Sequence, residues 1–179
     1  MSTRTVLHAA DIAGAMTRIS HEILESNRGS DGLVLLGIPT RGVALAHRIA
    51  ALIADFSGVS IPVGALDVTM YRDDLHRNPT RAPQPTSIPA GGIDGKVVVL
   101  VDDVLFSGRS IRSALDALQD IGRPAAVRLA TLVDRGHREL PIRPDFVGKN
   151  LPSASDERVY VRLEEVDGEE SVTIEGAAS

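Results

Sequence analysis

Short apolar runs alternate along this chain with longer amphipathic stretches. Four apolar runs predict buried strands, at 33–38, 63–70, 96–101 and 125–133. Three stretches repeat apolar residues every three or four positions and so predict helices, at 11–27, 43–56 and 111–121. Asp11 is a candidate cap for the first helix, and Gly29 and Gly32 follow its expected end. Weaker patterns predict final strands at 159–163 and 172–174.

The order of these elements predicts an α/β fold. Strand and helix patterns alternate, and the strands are apolar on both faces, as a mostly parallel sheet requires. A length of 179 residues favours one domain. No apolar run reaches the roughly 18 residues of a transmembrane helix, and no signal-peptide pattern opens the chain. We therefore expect a cytoplasmic protein without membrane attachment.

Composition narrows the chemistry further. Without cysteine, disulfides and thiolate metal sites are excluded, and the absence of tryptophan and the five remaining aromatic residues disfavour rows of stacked bases. The net charge of −5 argues at first against a nucleic-acid partner. From Asp156 onward, however, eight acids face two bases, which leaves the preceding body at +1. Seventeen of the 19 basic residues are arginine, the side chain suited to bidentate phosphate contacts.

A proline-rich segment separates two of the predicted strands. Pro79, Pro83, Pro85 and Pro89 fall between Arg72 and Gly92, where apolar content is low. A connection of this length is typical of a mobile lid over a site, and a passive surface loop is the alternative.

The segment Val97–Ser110 carries the most specific chemistry. A buried strand delivers Asp102 and Asp103 to its carboxyl end, where open α/β sheets bind ligands. Ser107-Gly108-Arg109-Ser110 then begins a helix, whose free N–H groups, hydroxyls and arginine favour an anion. Either half alone is common loop chemistry. In this order they predict a site for a sugar phosphate, and neither a Walker loop nor a Gly-x-Gly-x-x-Gly fingerprint is present.

This run resembles the 5-phosphoribosyl-1-pyrophosphate (PRPP) motif of type I phosphoribosyltransferases. Further segments resemble the bifunctional pyrimidine-operon attenuation regulator/uracil phosphoribosyltransferase family over nearly the whole chain. They are Thr17–Glu22, Thr40-Arg41-Gly42, Tyr71–Leu75, Leu132–Arg143 and Gly148-Lys149-Asn150. The block Asp134–Pro141 is the part that points to this family rather than to the superfamily alone.

The resemblance implies a type I phosphoribosyltransferase fold over residues 1–179, with a lid at 72–92 and a hood with the C-terminal strands at 145–179. It implies that Asp102 and Asp103 hold the ribose hydroxyls, with one of them, preferably Asp103, stabilising the cationic ribose or accepting a proton. Thr40, Arg41 and Gly42 would meet pyrophosphate, with Arg41 also catalytic. The binding loop for the 5′-phosphate would comprise Val104, Leu105, Phe106, Ser107, Gly108, Arg109 and Ser110.

The implied reaction joins uracil N1 to the anomeric carbon of PRPP and yields UMP and pyrophosphate, with Mg²⁺ bound alongside PRPP. The base pocket is implied at Phe146 and Val147, with Arg135 near the base or pyrophosphate and Val161 closing the site. Ordinary strand core is the alternative for Phe146 and Val147. Two residues depart from the family pattern: Pro39 removes an N–H before Thr40, and Phe106 lacks a tyrosine hydroxyl.

The same family binds a leader segment of pyrimidine-gene mRNA when UMP is present, acting as a homodimer or higher oligomer. The implied RNA-binding residues are Thr17, Arg18, His21, Arg138 and Arg143. Solvated helix positions are the alternative for these residues. An RNA regulator with vestigial catalysis and a purine-type phosphoribosyltransferase remain the competing functions.

Overall fold

The structure is a computed structural model that describes residues 2–71 and 86–176. It consists of a five-stranded sheet, a three-stranded sheet and four helices within those residues. The strands are β1 (Thr3–Leu7), β2 (Leu33–Gly37), β3 (Val63–Ala65), β4 (Val97–Leu105), β5 (Ala126–Asp134), β6 (Phe146–Asn150), β7 (Arg158–Arg162) and β8 (Ser171–Glu175). The helices are α1 (Ala9–Asn27), α2 (Arg41–Ser57), α3 (Arg109–Gln119) and α4 (Glu164–Asp167), with a 3₁₀ turn at Thr69–Tyr71.

The five-stranded sheet has the order β3-β2-β4-β5-β6, and every neighbouring pair is parallel. Its strands alternate their side chains between two apolar layers. Leu33 and Leu35 face α1 and α2, whereas Val34 and Leu36 face α3. This double-sided burial explains why the central strands read as continuous apolar runs. The predicted α/β class with a parallel sheet flanked by helices is confirmed.

The smaller sheet is antiparallel, with the order β1-β8-β7. Val161, Leu163 and Val172 are buried in the apolar layer that α1 and α2 share. The sequence indicated β7 and β8 but not β1, which precedes the first predicted helix. Phe146–Asn150 was expected within the hood, and it is instead the edge strand of the central sheet.

The clearest differences between the predicted and observed elements concern β3, β4 and the start of α1. The strand expected over 63–70 ends at Ala65, because Asp67 accepts hydrogen bonds from the N–H and hydroxyl of Thr69 and turns the chain. Strand β4 continues past Val101 to Leu105. Asp11 caps α1 from inside its first turn by accepting the N–H of His8 at 2.9 Å.

Candidate active site

The carboxyl edge of the parallel sheet opens into a cavity of about 470 Å³. Its volume is in the usual range for a small-molecule site, and it lies where such sheets bind ligands. The lining residues are Ile38, Pro39, Thr40, Arg41, Asp67, Val68, Thr69, Asp102, Asp103, Val104, Ser107, Arg109, Ser110 and Ser113. Tertiary structure thus joins the predicted pyrophosphate, ribose and 5′-phosphate segments in one cavity.

Asp102 and Asp103 lie within β4 rather than after it, because the strand extends to Leu105. The Asp102 carboxylate accepts the N–H of Asp103 at 2.9 Å, and the Asp103 carboxylate accepts the N–H of Val104 at 2.8 Å. An ionised carboxylate offers about four lone-pair sites to hydrogen-bond donors. Both residues line the cavity, so the pair can accept hydrogen bonds from two neighbouring hydroxyls of a ligand.

The first turn of α3 lines the cavity at the place where the sequence predicts an anion site. Arg109, Ser110 and Ser113 line the cavity from this helix, and the hydroxyl of Ser107 accepts the N–H of Arg109 at 3.2 Å. Gly108 precedes the helix with a φ of 93°, in the left-handed region that glycine tolerates. A Cβ there would lie 3.3 Å from Ile142 Cβ. The sharp turn therefore depends on glycine for backbone conformation and for space.

The Asp134–Pro141 block braces the predicted phosphate loop, Ser107–Ser110, from behind. The carbonyl oxygen of Ser107 accepts the N–H groups of Glu139 and Leu140, at 2.9 and 3.2 Å. Glu139 also accepts a hydrogen bond from Nε of Arg109 at 2.9 Å. The block that distinguishes the family in sequence thus holds the loop that is common to the superfamily.

Arg138 belongs to this brace. Its guanidinium donates to the carbonyl oxygens of Phe106 and Ile142 and to both carboxylate oxygens of Asp134. Burial would raise the pKa of Asp134, but Arg138 and the N–H of Gly136 outweigh burial and lower it. Arg138 therefore has a structural role in the fold, and its predicted contact with RNA stays a prediction.

Arg41 lies at the start of α2 and pairs with Asp167 of α4. Its Nε and Nη2 donate to the two carboxylate oxygens at 3.1 and 2.6 Å. The hydrogen bond to Asp167 raises the pKa of Arg41, with a smaller contribution from the charge of Asp103. Gly42 lies next to it, and a Cβ on Gly42 would come within 2.3 Å of the Val101 carbonyl oxygen. This glycine does not line the cavity but lets α2 begin close to β4.

The residues predicted for the base pocket lie outside this cavity. Phe146 is buried in the apolar layer of α1 and α2, which favours the strand-core alternative for this residue, and Val161 is buried in the same layer. The carbonyl oxygen of Val147 accepts a hydrogen bond from Arg18 at 2.9 Å, so the edge of β6 is covered there. Leu105, which was predicted for the 5′-phosphate loop and not for the base pocket, is buried as well.

Arg135 and Phe106 form a separate contact beside the phosphate loop. The Arg135 guanidinium lies 4.1 Å from the centre of the Phe106 ring and donates to Ser153 Oγ and the Ala154 carbonyl oxygen. Burial lowers the pKa of Arg135. Phe106 keeps 40% of its surface exposed. Neither side chain lines the cavity.

The residues predicted for RNA lie mainly around α1 and β6. Arg18 donates to Glu22 and to the carbonyl oxygens of Val147 and Gly148, and half of its side chain remains exposed. His21 is exposed and stacks on Phe56. Thr17 is half-buried, and Arg143 is exposed just before β6.

Sequence reasoning missed the contribution of Asp67, Val68, Thr69 and Ser113. Asp67 and Thr69 follow β3 directly, so polar residues at the end of a short strand were the available signal. The apolar alternation that continues through Val68 and Met70 hides that signal. Ser113 lies one turn after Arg109, and its hydroxyl donates to the carbonyl oxygens of Arg109 and Tyr71.

The predicted lid lies mostly outside the described residues. Residues 72–85 belong to that part, together with most of the Tyr71–Leu75 motif. Ser87, which follows, forms a bridge with Ala65 of β3. Across the described ranges, no helix is long and apolar enough to cross a membrane.

The donor set of the cavity suits a metal ion that arrives with its substrate. Within residues 2–71 and 86–176, no group of three or more His, Cys, Asp or Glu side chains could hold an ion by itself. Asp102 and Asp103 nevertheless offer hard oxygen donors of the kind that Mg²⁺ accepts. The residues present fit an ion whose other ligands are substrate oxygens and water.

The family model described as a phosphoribosyl transferase domain matches residues 2–163. The chain is 73% identical to the bifunctional protein PyrR of Leifsonia xyli over 98% of each chain. It is 62% identical to the bifunctional protein PyrR of Streptomyces coelicolor, covering 96% of this chain and 89% of that protein. The chain belongs to the bifunctional PyrR family. The predicted combination of a pyrimidine-biosynthesis regulator with uracil phosphoribosyltransferase activity is thereby confirmed.

Solved structures support the fold of this PyrR-family chain. A hypoxanthine phosphoribosyltransferase of Trypanosoma cruzi is similar with a TM-score of 0.73 and 17% identity, covering 96% of this chain and 90% of that one. One from Staphylococcus aureus has a TM-score of 0.69 and 20% identity, covering 95% and 90%. At these identities the likeness shows the type I phosphoribosyltransferase fold alone, and it does not identify the base that serves as substrate.

Proposed function

We propose that the cavity at the carboxyl edge binds PRPP and transfers its phosphoribosyl group to uracil N1. The observation that carries this proposal is the meeting of three segments in one cavity: Arg41 from α2, Asp102 and Asp103 from β4, and the first turn of α3. Each segment suits a different part of PRPP. The helix start suits the 5′-phosphate, the two acids suit the ribose hydroxyls, and Arg41 suits the pyrophosphate.

In this reaction the bond between the anomeric carbon and pyrophosphate breaks, and a bond from uracil N1 forms. The N1 proton of uracil passes to Asp103 or to solvent, and pyrophosphate carries away the electron pair of the broken bond. Positive charge develops on the ribose, where Asp102 and Asp103 provide negative charge, and negative charge develops on pyrophosphate, where Arg41 provides positive charge. Fixed charges placed at both ends stabilise such a transition state electrostatically.

Mg²⁺ is proposed to enter with PRPP, and Asp102 and Asp103 would offer it oxygen ligands. When bound, it would neutralise charge on the leaving pyrophosphate. Titrating activity against Mg²⁺ at fixed PRPP tests this dependence. Activity that persists unchanged in excess chelator would contradict it.

The choice of base is tested by assaying PRPP with uracil, hypoxanthine and guanine in parallel, with products identified by mass. We expect UMP from uracil and no nucleotide from either purine. Turnover of hypoxanthine or guanine would favour the purine alternative, and PRPP binding without turnover of any base would favour a regulator with vestigial catalysis.

We also propose that the protein binds a leader of pyrimidine-gene mRNA in the presence of UMP. The basic side chains around α1 and β6 support a local surface: Arg18 and His21 are exposed on α1, and Arg143 is exposed next to β6. Helix α1 packs directly on β6, so these residues belong to neighbouring elements. A few arginines on one surface can read the phosphates and shape of an RNA hairpin.

Filter-binding titrations with the leader, with and without UMP, test the RNA proposal. We expect UMP to tighten binding and Arg143→Met to weaken it. Arg158→Met, which removes the same charge from an exposed position of β7, is the matched control. An equal loss of RNA affinity in both variants, or RNA binding that does not depend on UMP, would contradict the proposal. Light scattering on the purified protein tests the proposed homodimer or higher oligomer.

A further inference from the structure

The ion pair between Arg41 and Asp167 connects the cavity to the small sheet. The two residues are 126 positions apart in the chain. Asp167 ends α4, the short turn between β7 and β8, and Arg41 begins α2. Their side chains keep only 18% and 33% of their surface exposed, respectively. A bidentate pair with this much burial fixes the guanidinium more firmly than a solvated pair does.

Asp167 is itself held in place by its own turn. Its Oδ2 accepts the N–H of Leu163 at 2.8 Å, and its own N–H donates to the Leu163 carbonyl oxygen at 2.7 Å. Gly168 ends the turn in the left-handed conformation, with a φ of 72°. The carboxylate is therefore oriented before it meets Arg41.

A second arginine anchors the same turn to α2. Arg48 lies two helical turns after Arg41 and so shares its face of the helix. Its guanidinium pairs with the carboxylates of Glu165 and Glu170, which flank Asp167. These contacts fix the turn to α2 independently of Asp167.

The pairing geometry leaves one edge of Arg41 for a ligand. Asp167 takes Nε and Nη2, the side edge of the guanidinium. Among the described residues, Nη1 makes no hydrogen bond, so the end edge formed by Nη1 and Nη2 can still donate. Arg41 lines the cavity, whereas Asp167 does not. An anion in the cavity can therefore reach Arg41 without displacing Asp167.

We propose that Asp167 is a positioning residue for the pyrophosphate end of PRPP: it holds Arg41 by the side edge so that the end edge meets the anion. This inference rests on the proposed function of the cavity. Arginine side chains lose considerable rotamer freedom when they are fixed. The pair with Asp167 already removes this freedom from Arg41 when the protein folds. Binding of PRPP then loses less entropy, and the affinity for the pyrophosphate group rises.

The opposite role would be that of a competitor, in which Asp167 occupies Arg41 until pyrophosphate displaces it. The two roles predict opposite changes. Removing a positioning residue weakens PRPP and pyrophosphate binding, whereas removing a competitor strengthens both. The side-edge geometry and the absence of Asp167 from the cavity wall favour positioning.

The test compares Asp167→Asn with Asp167→Glu and with a matched control, Glu169→Gln. Asparagine keeps an acceptor for the N–H of Leu163 but loses the charge that holds Arg41. Glu169 lies in the same region, keeps 61% of its side-chain surface exposed and pairs with Arg162 rather than Arg41. Steady-state assays measure kcat, KM for PRPP, KM for uracil and inhibition by pyrophosphate.

We expect Asp167→Asn to raise KM for PRPP and the inhibition constant of pyrophosphate about five- to tenfold, with KM for uracil little changed. Asp167→Glu should recover part of the loss, and Glu169→Gln should match the wild type. In an Arg41→Met background, Asp167→Asn should have little further effect, because the two residues act together.

Three results would overturn the inference. One is tighter PRPP or pyrophosphate binding in Asp167→Asn, which would assign the competitor role. Another is an equal effect of Glu169→Gln, which would mean that the loss of any negative charge near this turn is enough to weaken binding. The last is the absence of a selective effect on PRPP and pyrophosphate: either no constant changes, or kcat and both KM values worsen alike together with a lower melting temperature.

Calorimetric titration of pyrophosphate and PRPP keeps this test separate from the uracil assignment. If the wild type binds both ligands but does not turn over uracil, the proposed reaction fails while the positioning role is still decided by binding. If the wild type binds neither ligand, both the proposed function and this inference fail.

Discussion

Arg138 donates hydrogen bonds to both carboxylate oxygens of Asp134, at 2.9 and 2.6 Å. Asp134 ends β5, and the chain between the two residues turns back toward the phosphate loop. Because the same guanidinium also donates to the Phe106 carbonyl oxygen, the pair holds the carboxyl ends of β4 and β5 together. An arginine that looks like a nucleic-acid contact in sequence thus stabilises the active-site scaffold.

Replacing Arg138 should therefore lower the stability of the protein, whether or not it changes the affinity for RNA. We expect Arg138→Met to lower the free energy of unfolding by about 1–3 kcal/mol, because Asp134 loses its charged donor in a partly buried site. KM for PRPP should rise, since the loop loses a brace. Urea unfolding and steady-state kinetics measure both effects.

Arg143→Met is the matched control for that prediction, because Arg143 is exposed before β6. It should leave stability within about 0.5 kcal/mol of the wild type. If Arg138→Met has the same free energy of unfolding as the wild type and loses only RNA affinity, Arg138 does not have the structural role assigned to it.

Asp103→Asn should abolish UMP synthesis without unfolding the protein. The substitution keeps the size of the side chain but removes the negative charge facing the cationic ribose, and we expect kcat to fall at least about 100-fold. Calorimetric melting should stay near that of the wild type. Asp116→Asn, an equal charge change on the exposed side of α3, should retain activity. Normal turnover by Asp103→Asn would refute the assignment of this acid.

Gly108→Ala should destabilise the phosphate loop. Its φ of 93° costs an L-residue about 1–2 kcal/mol, and the new methyl group would meet Ile142 at 3.3 Å. We expect both a lower melting temperature and weaker PRPP binding in calorimetric titrations. Gly91→Ala, which has open space around its Cβ, should leave both properties unchanged. Equal behaviour of the two variants would contradict the proposed requirement for glycine.

The contacts of Arg48 should make stability depend on acid pH. Hydrogen bonds from Arg48 lower the pKa values of Glu165 and Glu170 below their ordinary 4.5. A carboxyl whose pKa is lowered by folding contributes stability above its unfolded pKa, and this stability is lost as pH falls through the folded value. The contribution should therefore be complete at pH 7 and decline below about pH 4.5.

Arg48→Met isolates that contribution. At pH 7 the variant should be less stable by roughly 1 kcal/mol, a value reduced by the solvent exposure of Glu165. The difference from wild type should shrink as the pH falls below 4.5, measured by urea unfolding at each pH. Arg123→Met at an exposed position should show no such convergence. A constant difference across this range would exclude the ion pairs as its source.

The central sheet could be predicted because its strands are buried on both faces. Leu33–Leu36 and Val97–Val101 leave no polar position, so the apolar run itself marks the strand. The prediction failed after Ala65, where Val68 and Met70 continue an apolar alternation that the structure does not use as a strand. Local pattern could not reveal that the Asp67–Thr69 hydrogen bonds turn the chain there.

The acidic C-terminal segment shows the limit of counting charges. In the sequence this segment contains eight acids and two bases, and it lies apart from an arginine-rich body. In the structure, Glu165, Asp167 and Glu170 pair with the arginines of α2. The charge counts were right, but the separation between the acidic segment and the body was not, because folding brings the two together.

The sequence by itself determined the class of fold and the order of chemical groups in the β4–α3 segment. Both follow from neighbouring residues, since burial pattern and loop chemistry are local properties of the chain. Only the tertiary structure decided which partner each arginine has: Asp167 for Arg41, Asp134 for Arg138. Those partners depend on how distant segments pack, and a guanidinium that faces a carboxylate across the fold has the same local sequence as one that faces water.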